Sequence, residues 1–391
     1  MKIFKIFALC ILLFLSGCAA KPDISVPIEV KPYTRTVVTV DHNQNCYFVD
    51  DGNRLWKWDG QDRFEEVPIL RETIVGIVSG MGGYTVFFDT FGNLYGFGNP
   101  EDERSPIASA EPTFLLSDVI SIAGGGYHIL ALKADGTVWA MGENAHGQIG
   151  NGSPFKNKSQ DIFMEPKETW FVPSFTQVLD DVAFIAADHF SSAAIKADGS
   201  LWLWGDNSSG RVGNGASGNG FATASNLVVP TPECVMNNVV WVSFGDSSTY
   251  AIKADGSLWA WGNRFENTPR AIGVDIVRVA ARDTDTIFVL KEDQKLYHFS
   301  DTDTPLLSDV VDFSVTHEEN LFVRFKNGDI TQYRLEFNWK HTGHYQERLS
   351  FRRLTDPFPV MKHIPTAEDV RYTASLSPTT KLFCTVLARC S

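Results

Sequence analysis

Residues able to do chemistry are scattered along this chain rather than gathered. Asp283/Asp285 and Asp301/Asp303 form D-x-D pairs of the kind that open calcium loops, but the further oxygen ligands and the loop glycine are missing. His341, His344 and His363 could ligate a metal, yet no acidic or cysteine partner stands at a fitting spacing, so no metal is expected. Carboxylates recur in Asp135-Gly136, Asp198-Gly199 and Asp255-Gly256, where the following glycine marks them as turn formers rather than acid–base catalysts. No GxSxG, HExxH, P-loop or dinucleotide fingerprint is present, so neither a catalytic residue nor a cofactor is expected. Lys+Arg 34 against Asp+Glu 47 gives a net charge of −13, which argues against a phosphate-binding surface and hence against nucleic acid as a partner.

One thiol stands out by its surroundings. Lys2 and Lys5 precede ten apolar residues, Ile6 to Leu15, a stretch too short for a bilayer helix of roughly 20 residues. It runs into Leu15-Ser16-Gly17-Cys18, where small residues admit a peptidase and the thiol can be alkylated. This order resembles the lipobox of bacterial lipoproteins. The resemblance implies a signal peptide over 1–17, cleavage before Cys18, a diacylglycerol thioether on its sulfur and an acyl chain such as palmitate on the new N-terminus. Ala19 at the next position resembles lipoproteins sent to the outer membrane, where an aspartate would have implied inner-membrane retention, so a bacterial cell-envelope location and a membrane contact through lipid are expected.

Residues 18–35 carry Pro22, Pro27 and Pro32 and read as an extended tether reaching roughly 50 Å. Beyond it, 36–391 holds Cys46, Cys234, Cys384 and Cys390, among which disulfides are possible in an oxidising compartment and the pairing is open.

The elements that must position any site repeat along the chain. ALKADGTVWAMGEN (Ala131–Asn144), AIKADGSLWLWGDN (Ala194–Asn207) and AIKADGSLWAWGNR (Ala251–Arg264) share one frame, and four weaker copies follow it. The turn position falls at 52, 92, 136, 199, 256, 294 and 328. Asp-Gly between apolar runs predicts a hairpin with a two-residue type I′ turn at each. A further apolar run upstream of each hairpin adds a third strand, and the connectors leave room for a fourth. Strands apolar on both faces suit sheets stacked on sheets, with Trp139, Trp202 and Trp259 sharing a face with Met141, Trp204 and Trp261 between blades.

The run Ile122–Ser153, with its trailing G-Q-x-G-x-G at Gly147–Gly152, resembles the regulator-of-chromosome-condensation repeat, and a looser copy follows at Gly210–Gly215. The resemblance implies an all-β fold, a seven-bladed β-propeller of such repeats. Residues 369–391 resemble the first two strands of a unit. They would close the ring or, as the alternative, begin an eighth blade.

Two connectors exceed the period, at 151–179 and 210–235. Both follow a Trp strand and should leave one propeller face. Aromatic residues anchor interfaces, which makes Phe155, Phe163, Met164, Trp170 and Phe171 candidate partner-binding residues. The expectation is a non-catalytic propeller that binds a protein partner. The alternatives are a glycan-active envelope enzyme, with carboxylates converging at the channel mouth, and an outer-membrane assembly scaffold.

Overall fold

Each repeat is organised by its turn. In the computed structural model Lys133 N–H donates to the Thr137 carbonyl at 2.9 Å and Gly136 N–H donates to the Lys133 carbonyl at 3.0 Å. Gly136 has φ +82°, while Asp135 keeps a negative φ. The hairpin loop is therefore three residues, Ala134-Asp135-Gly136, a type I turn closed by a left-handed residue, and not the two-residue type I′ turn expected. The same bonds recur around Gly92, Gly199 and Gly256, and around Gln294, which takes φ +62° in the glycine position. Asp135 Oδ1 accepts from Thr137 N–H at 3.0 Å and from the Thr137 hydroxyl at 2.6 Å, and Trp139 Nε1–H donates to that hydroxyl oxygen at 2.9 Å. Asp198–Ser200–Trp202 and Asp255–Ser257–Trp259 repeat the chain of contacts. These hydrogen bonds hold the Asp135 and Asp255 carboxyls below their usual range. The repeated aspartates are structural.

The structure describes residues 38–40, 46–49, 54–58, 64–68, 74–153, 170–216, 228–245, 247–263, 265–281, 286–300, 302–315, 320–326, 330–337 and 349–353. Cys18, the tether, Phe155, Phe163, Met164, Cys384, Cys390 and the segment 369–391 lie outside them.

Among the described residues the strands form seven antiparallel sheets in chain order. Blade 1 holds β1 (Val38–Val40), β2 (Cys46–Val49), β3 (Leu55–Trp58) and β4 (Phe64–Val67). Blade 2 holds β5 (Ile74–Ser79), β6 (Thr85–Asp89), β7 (Leu94–Phe97) and β8 (Thr113–Leu116). Blade 3 holds β9 (Val119–Gly124), β10 (His128–Lys133), β11 (Val138–Glu143) and β12 (Phe171–Leu179). Blade 4 holds β13 (Val182–Asp188), β14 (Ser191–Lys196), β15 (Leu201–Asp206) and β16 (Val228–Met236). Blade 5 holds β17 (Val239–Phe244), β18 (Ser248–Lys253), β19 (Leu258–Gly262) and β20 (Arg270–Gly273). Blade 6 has three strands, β21 (Ile276–Ala281), β22 (Ile287–Lys291) and β23 (Leu296–His298), and blade 7 has β24 (Val310–Val315), β25 (Asn320–Phe325), β26 (Ile330–Phe337) and β27 (Leu349–Arg353).

The fourth strand of blades 2 to 5 comes from the connector after the Trp strand or its equivalent. This changes the reading of the two long connectors. Phe171 opens β12 opposite Glu143, and Trp170 offers its carbonyl to Asn144 N–H at 2.7 Å. Both residues belong to the edge of blade 3 rather than to a free loop. Cys234 lies in β16 opposite Trp202 and is disulfide-bonded.

First strands of successive blades pack on one another, β1 on β5, β5 on β9, β9 on β13, β13 on β17, β17 on β21 and β21 on β24. A latch joins successive blades from blade 2 to blade 7 on the side of the Asp-Gly turns. Val182 N–H donates to the Gly136 carbonyl, Val239 N–H to Gly199 and Ile276 N–H to Gly256, each at 2.9 Å, with Val119 on Gly92 and Val310 on Gln294 alike. This side is the turn face, and the opposite side, where β11 and β15 end in connectors, is the loop face. Inner strands are buried on both faces, as sheets stacked between sheets must be. Trp204 and Trp261 are fully buried, and Met141 takes the equivalent place in blade 3. Trp139, Trp202 and Trp259 are half-buried, with the Lys133, Lys196 and Lys253 ammonium groups over their rings at 5.5, 5.1 and 4.2 Å.

Candidate functional site on the loop face

The loop face is built at the seams between blades. After β11 the chain forms a tight segment in which the Asn144 side chain accepts from Ile149 N–H at 3.0 Å and donates to the Asn151 side-chain oxygen at 3.2 Å. After β15, Asn207 binds Val212 N–H and Asn214 at 3.0 and 3.1 Å in the same way. Each segment thrusts one carbonyl into the next blade. The Gln148 carbonyl accepts from Trp204 Nε1–H at 2.9 Å and from the Ser192 hydroxyl at 2.8 Å. The Arg211 carbonyl accepts from Trp261 Nε1–H at 2.8 Å and from the Thr249 hydroxyl at 2.7 Å. Gly150, at φ +84°, lies so close that an added Cβ would stand 2.6 Å from Trp204 Nε1, and Gly213 relates to Trp261 identically. The glycines of the G-x-x-G-x-G segments thus seat the next blade's indole.

Side chains at the two seams diverge. Arg211 is buried, donates to the Asp188 carboxylate and to the Gly245 carbonyl, the latter at 2.8 Å, and closes an ion pair inside the propeller. At the other seam Gln148 takes the place of Arg211, and His128 fills the space beside Gly125. His128 Nε2 lies 2.9 Å from Ser192 Oγ, and the hydroxyl proton of Ser192 is committed to the Gln148 carbonyl. The imidazole must therefore donate from Nε2, which leaves Nδ1 as a bare lone pair without a partner. Burial pushes the His128 imidazole down to about 3, against the opposing pull of Asp188.

A serine, a histidine and an aspartate here resemble a hydrolytic triad in composition only. All three are buried, the imidazole donates to the hydroxyl instead of accepting from it, and Asp188 is held by Arg211. Two further carboxylates at this face, Glu143 and Asp206, are also engaged. Glu143 is bound by Arg104 at 2.7 and 3.2 Å, and burial raises its carboxyl while Arg104 opposes the shift. Asp206 accepts from the Ser208 hydroxyl at 2.7 Å. Among the described residues no cluster of His, Cys, Asp and Glu has metal-binding geometry.

This face also carries half-buried aromatic residues. Arg104 lies flat on the half-buried Tyr127 ring at 3.6 Å. Across the seam between blades 3 and 4, His146 stacks on Phe190 at 4.1 Å, and His189 packs on the same ring at 5.6 Å. Sequence reasoning missed this cluster. Its one signal was the short turns Gly126-Tyr127 and His189-Phe190, which place aromatic residues at the ends of inner strands.

Two stretches match the model of the regulator of chromosome condensation (RCC1) repeat, residues 119–148 and 198–252. The chain is 28% identical over 230 residues to the mitochondrial RCC1 domain-containing protein RUG3 of Arabidopsis thaliana, covering 57% of this chain and 42% of that protein. It is 32% identical over 120 residues to the human X-linked retinitis pigmentosa GTPase regulator, covering 31% of this chain and 10% of that one. The chain spans less than half the length of these curated relatives. The crystal structure of human WBSCR16 superposes with a TM-score of 0.50 at 15% identity, over 84% of this chain and 82% of that one. The chain is a β-propeller in which residues 119–148 and 198–252 match the regulator-of-chromosome-condensation repeat.

Proposed function

We propose that this protein is a bacterial lipoprotein whose propeller binds a protein partner through its loop face, without catalysing a reaction. The observation that carries the reading is that the described segments 144–153 and 207–216, which lead into the over-long connectors 151–179 and 210–235, lie on the loop face on either side of blade 4, the first of them carrying His146 of the His146–Phe190–His189 cluster. Rigid scaffolds that carry variable loops and aromatic anchors on one face are built for association. The engaged carboxylates at this face support a binding role over the glycan-hydrolase alternative. Lipidation at Cys18, with the proline-spaced tether after it, would hold the disc off the outer membrane.

In-cell crosslinking and mass spectrometry, with the full chain and with a variant lacking 154–169, tests the loop face. Loss of one reproducible partner in the variant is expected, and unchanged recovery overturns the proposal. A Cys18→Ala chain should leave the membrane fraction. If it stays, the anchor lies elsewhere.

A further inference from the structure

The turn face carries a second surface, which the proposed loop-face function does not use. In six blades the register of the first strand slips at its second residue. Ile276 pairs with Lys291 and Arg278 with Leu290, so Val277 has no partner residue, and Val75, Ile120, Ala183, Val240 and Val311 stand at the same bulge in their own strands. A bulge re-aims a side chain. Here every bulge residue is aliphatic, and all six stand at the turn-face end of the first strands, whose ring forms the mouth on that side. Val75 is buried, Ile120 and Val240 are half-buried and Ala183 is exposed, while in blades 6 and 7 Val277 and Val311 are 39% and 41% exposed, and Val274, just before β21, is 66% exposed. These are three of the five large apolar side chains exposed among the described residues.

The charges around this mouth have one sign in excess. Asp118, Asp181, Asp255, Asp275 and Asp309 are exposed on the turns that surround it. Lys133, Lys196 and Lys253 lie half-buried against tryptophan rings, with Lys133 and Lys196 also paired to Asp118 and Asp180 at 3.6 and 3.0 Å. Arg278 pairs with Asp312 at 3.0 Å and Lys295 with Asp293 at 3.5 Å, and the exposed cations of the described turn face are Arg54 and Lys326, fewer than its exposed aspartates. An aliphatic centre inside an acidic rim repels a second copy of the same face and an anionic bilayer, and it attracts cationic chain.

We infer that the turn-face mouth at Val274, Val277 and Val311 docks a basic protein segment that inserts an aliphatic side chain, independently of the loop face. The probe is a fluorescein-labelled peptide of alternating lysine and leucine, compared with one of alternating lysine and serine, added to the full chain. The lysine–leucine peptide should bind with saturation and weaken with salt, and the lysine–serine peptide should bind at least about tenfold more weakly. Val277→Lys with Val311→Lys should lower the affinity for the lysine–leucine peptide by about tenfold or more, while Phe190→Ala on the loop face leaves it unchanged. Both valines are exposed, so an unchanged melting temperature certifies the fold of the variant. Equal binding by the double-lysine chain, or loss on Phe190→Ala alone, overturns the inference. So does binding to phosphatidylcholine vesicles, without peptide binding, that the double-lysine change abolishes.

Discussion

The seams that join blade 3 to blade 4 and blade 4 to blade 5 differ in side-chain chemistry while sharing a backbone device. In both, a glycine-bounded segment presents a carbonyl to an indole N–H and a hydroxyl of the next blade. One seam then adds the Arg211–Asp188 ion pair, and the other adds a neutral His128 and Gln148. The lesson is that the repeat fixes blade packing through main-chain geometry, so the side chains at the same positions are free to vary in charge.

Several substitutions can break or sharpen this contrast. Trp261→Ala and Trp204→Ala should each destabilise by about 3–5 kcal/mol, because both rings are fully buried and anchor the same kind of carbonyl. Denaturant titration that separates the two by more than the spread of that range would show that the seams are not equivalent. Arg211→Ala should cost about 3–5 kcal/mol by stranding the buried Asp188 carboxylate, and adding Asp188→Asn should recover part of the loss. The equivalent Gln148→Ala should cost roughly 1 kcal/mol in the same titration, since no charge is stranded.

The neutral seam should respond to acid. Burial holds the folded His128 imidazole down at about 3, whereas the unfolded side chain takes its proton near the ordinary imidazole value of 6.5. Between these values the unfolded state binds the extra proton, so this residue lowers stability as pH falls through the window, by an amount on the order of 4 kcal/mol at its lower end. His128→Gln should flatten the pH dependence of the melting temperature between pH 6 and 4. An unaltered slope would mean that other groups govern it. The smallest effect belongs to Thr249→Val, which should cost about 1 kcal/mol in the same titration because the Arg211 carbonyl keeps its indole donor, whereas Ser192→Ala also strands the His128 Nε2–H and should cost about 1–3 kcal/mol.

The periodic hairpins were legible because Asp-Gly and the flanking apolar runs recur in register with the turns. The kind of turn was not, since Asp-Gly serves both a two-residue loop and the last two places of a three-residue one. The outer strands were hidden for a physical reason. β12 and β16 are edge strands that carry Pro173 and Pro230 with Pro232, residues that a central strand rejects and an edge tolerates. Trp170 and Phe171 consequently read as loop anchors although they pack along that edge. Arg211 and Gln148 were invisible for another reason. What they give to the seam is a carbonyl, which every residue possesses, and only the surrounding glycines of Gly147–Gly152 and Gly210–Gly215 betray it.

The three-residue turn bears on how this molecule ages. Aspartyl–glycine bonds are those at which the glycine nitrogen most readily attacks the preceding carboxyl to form a succinimide and then isoaspartate. At positions 136, 199 and 256 that nitrogen is committed to a lysine carbonyl, and the carboxylate is committed to the residue two places on. The folded disc thereby shields its own weakest chemical bonds, and isoaspartate at these sites would serve as a clock recording how long each molecule had spent unfolded.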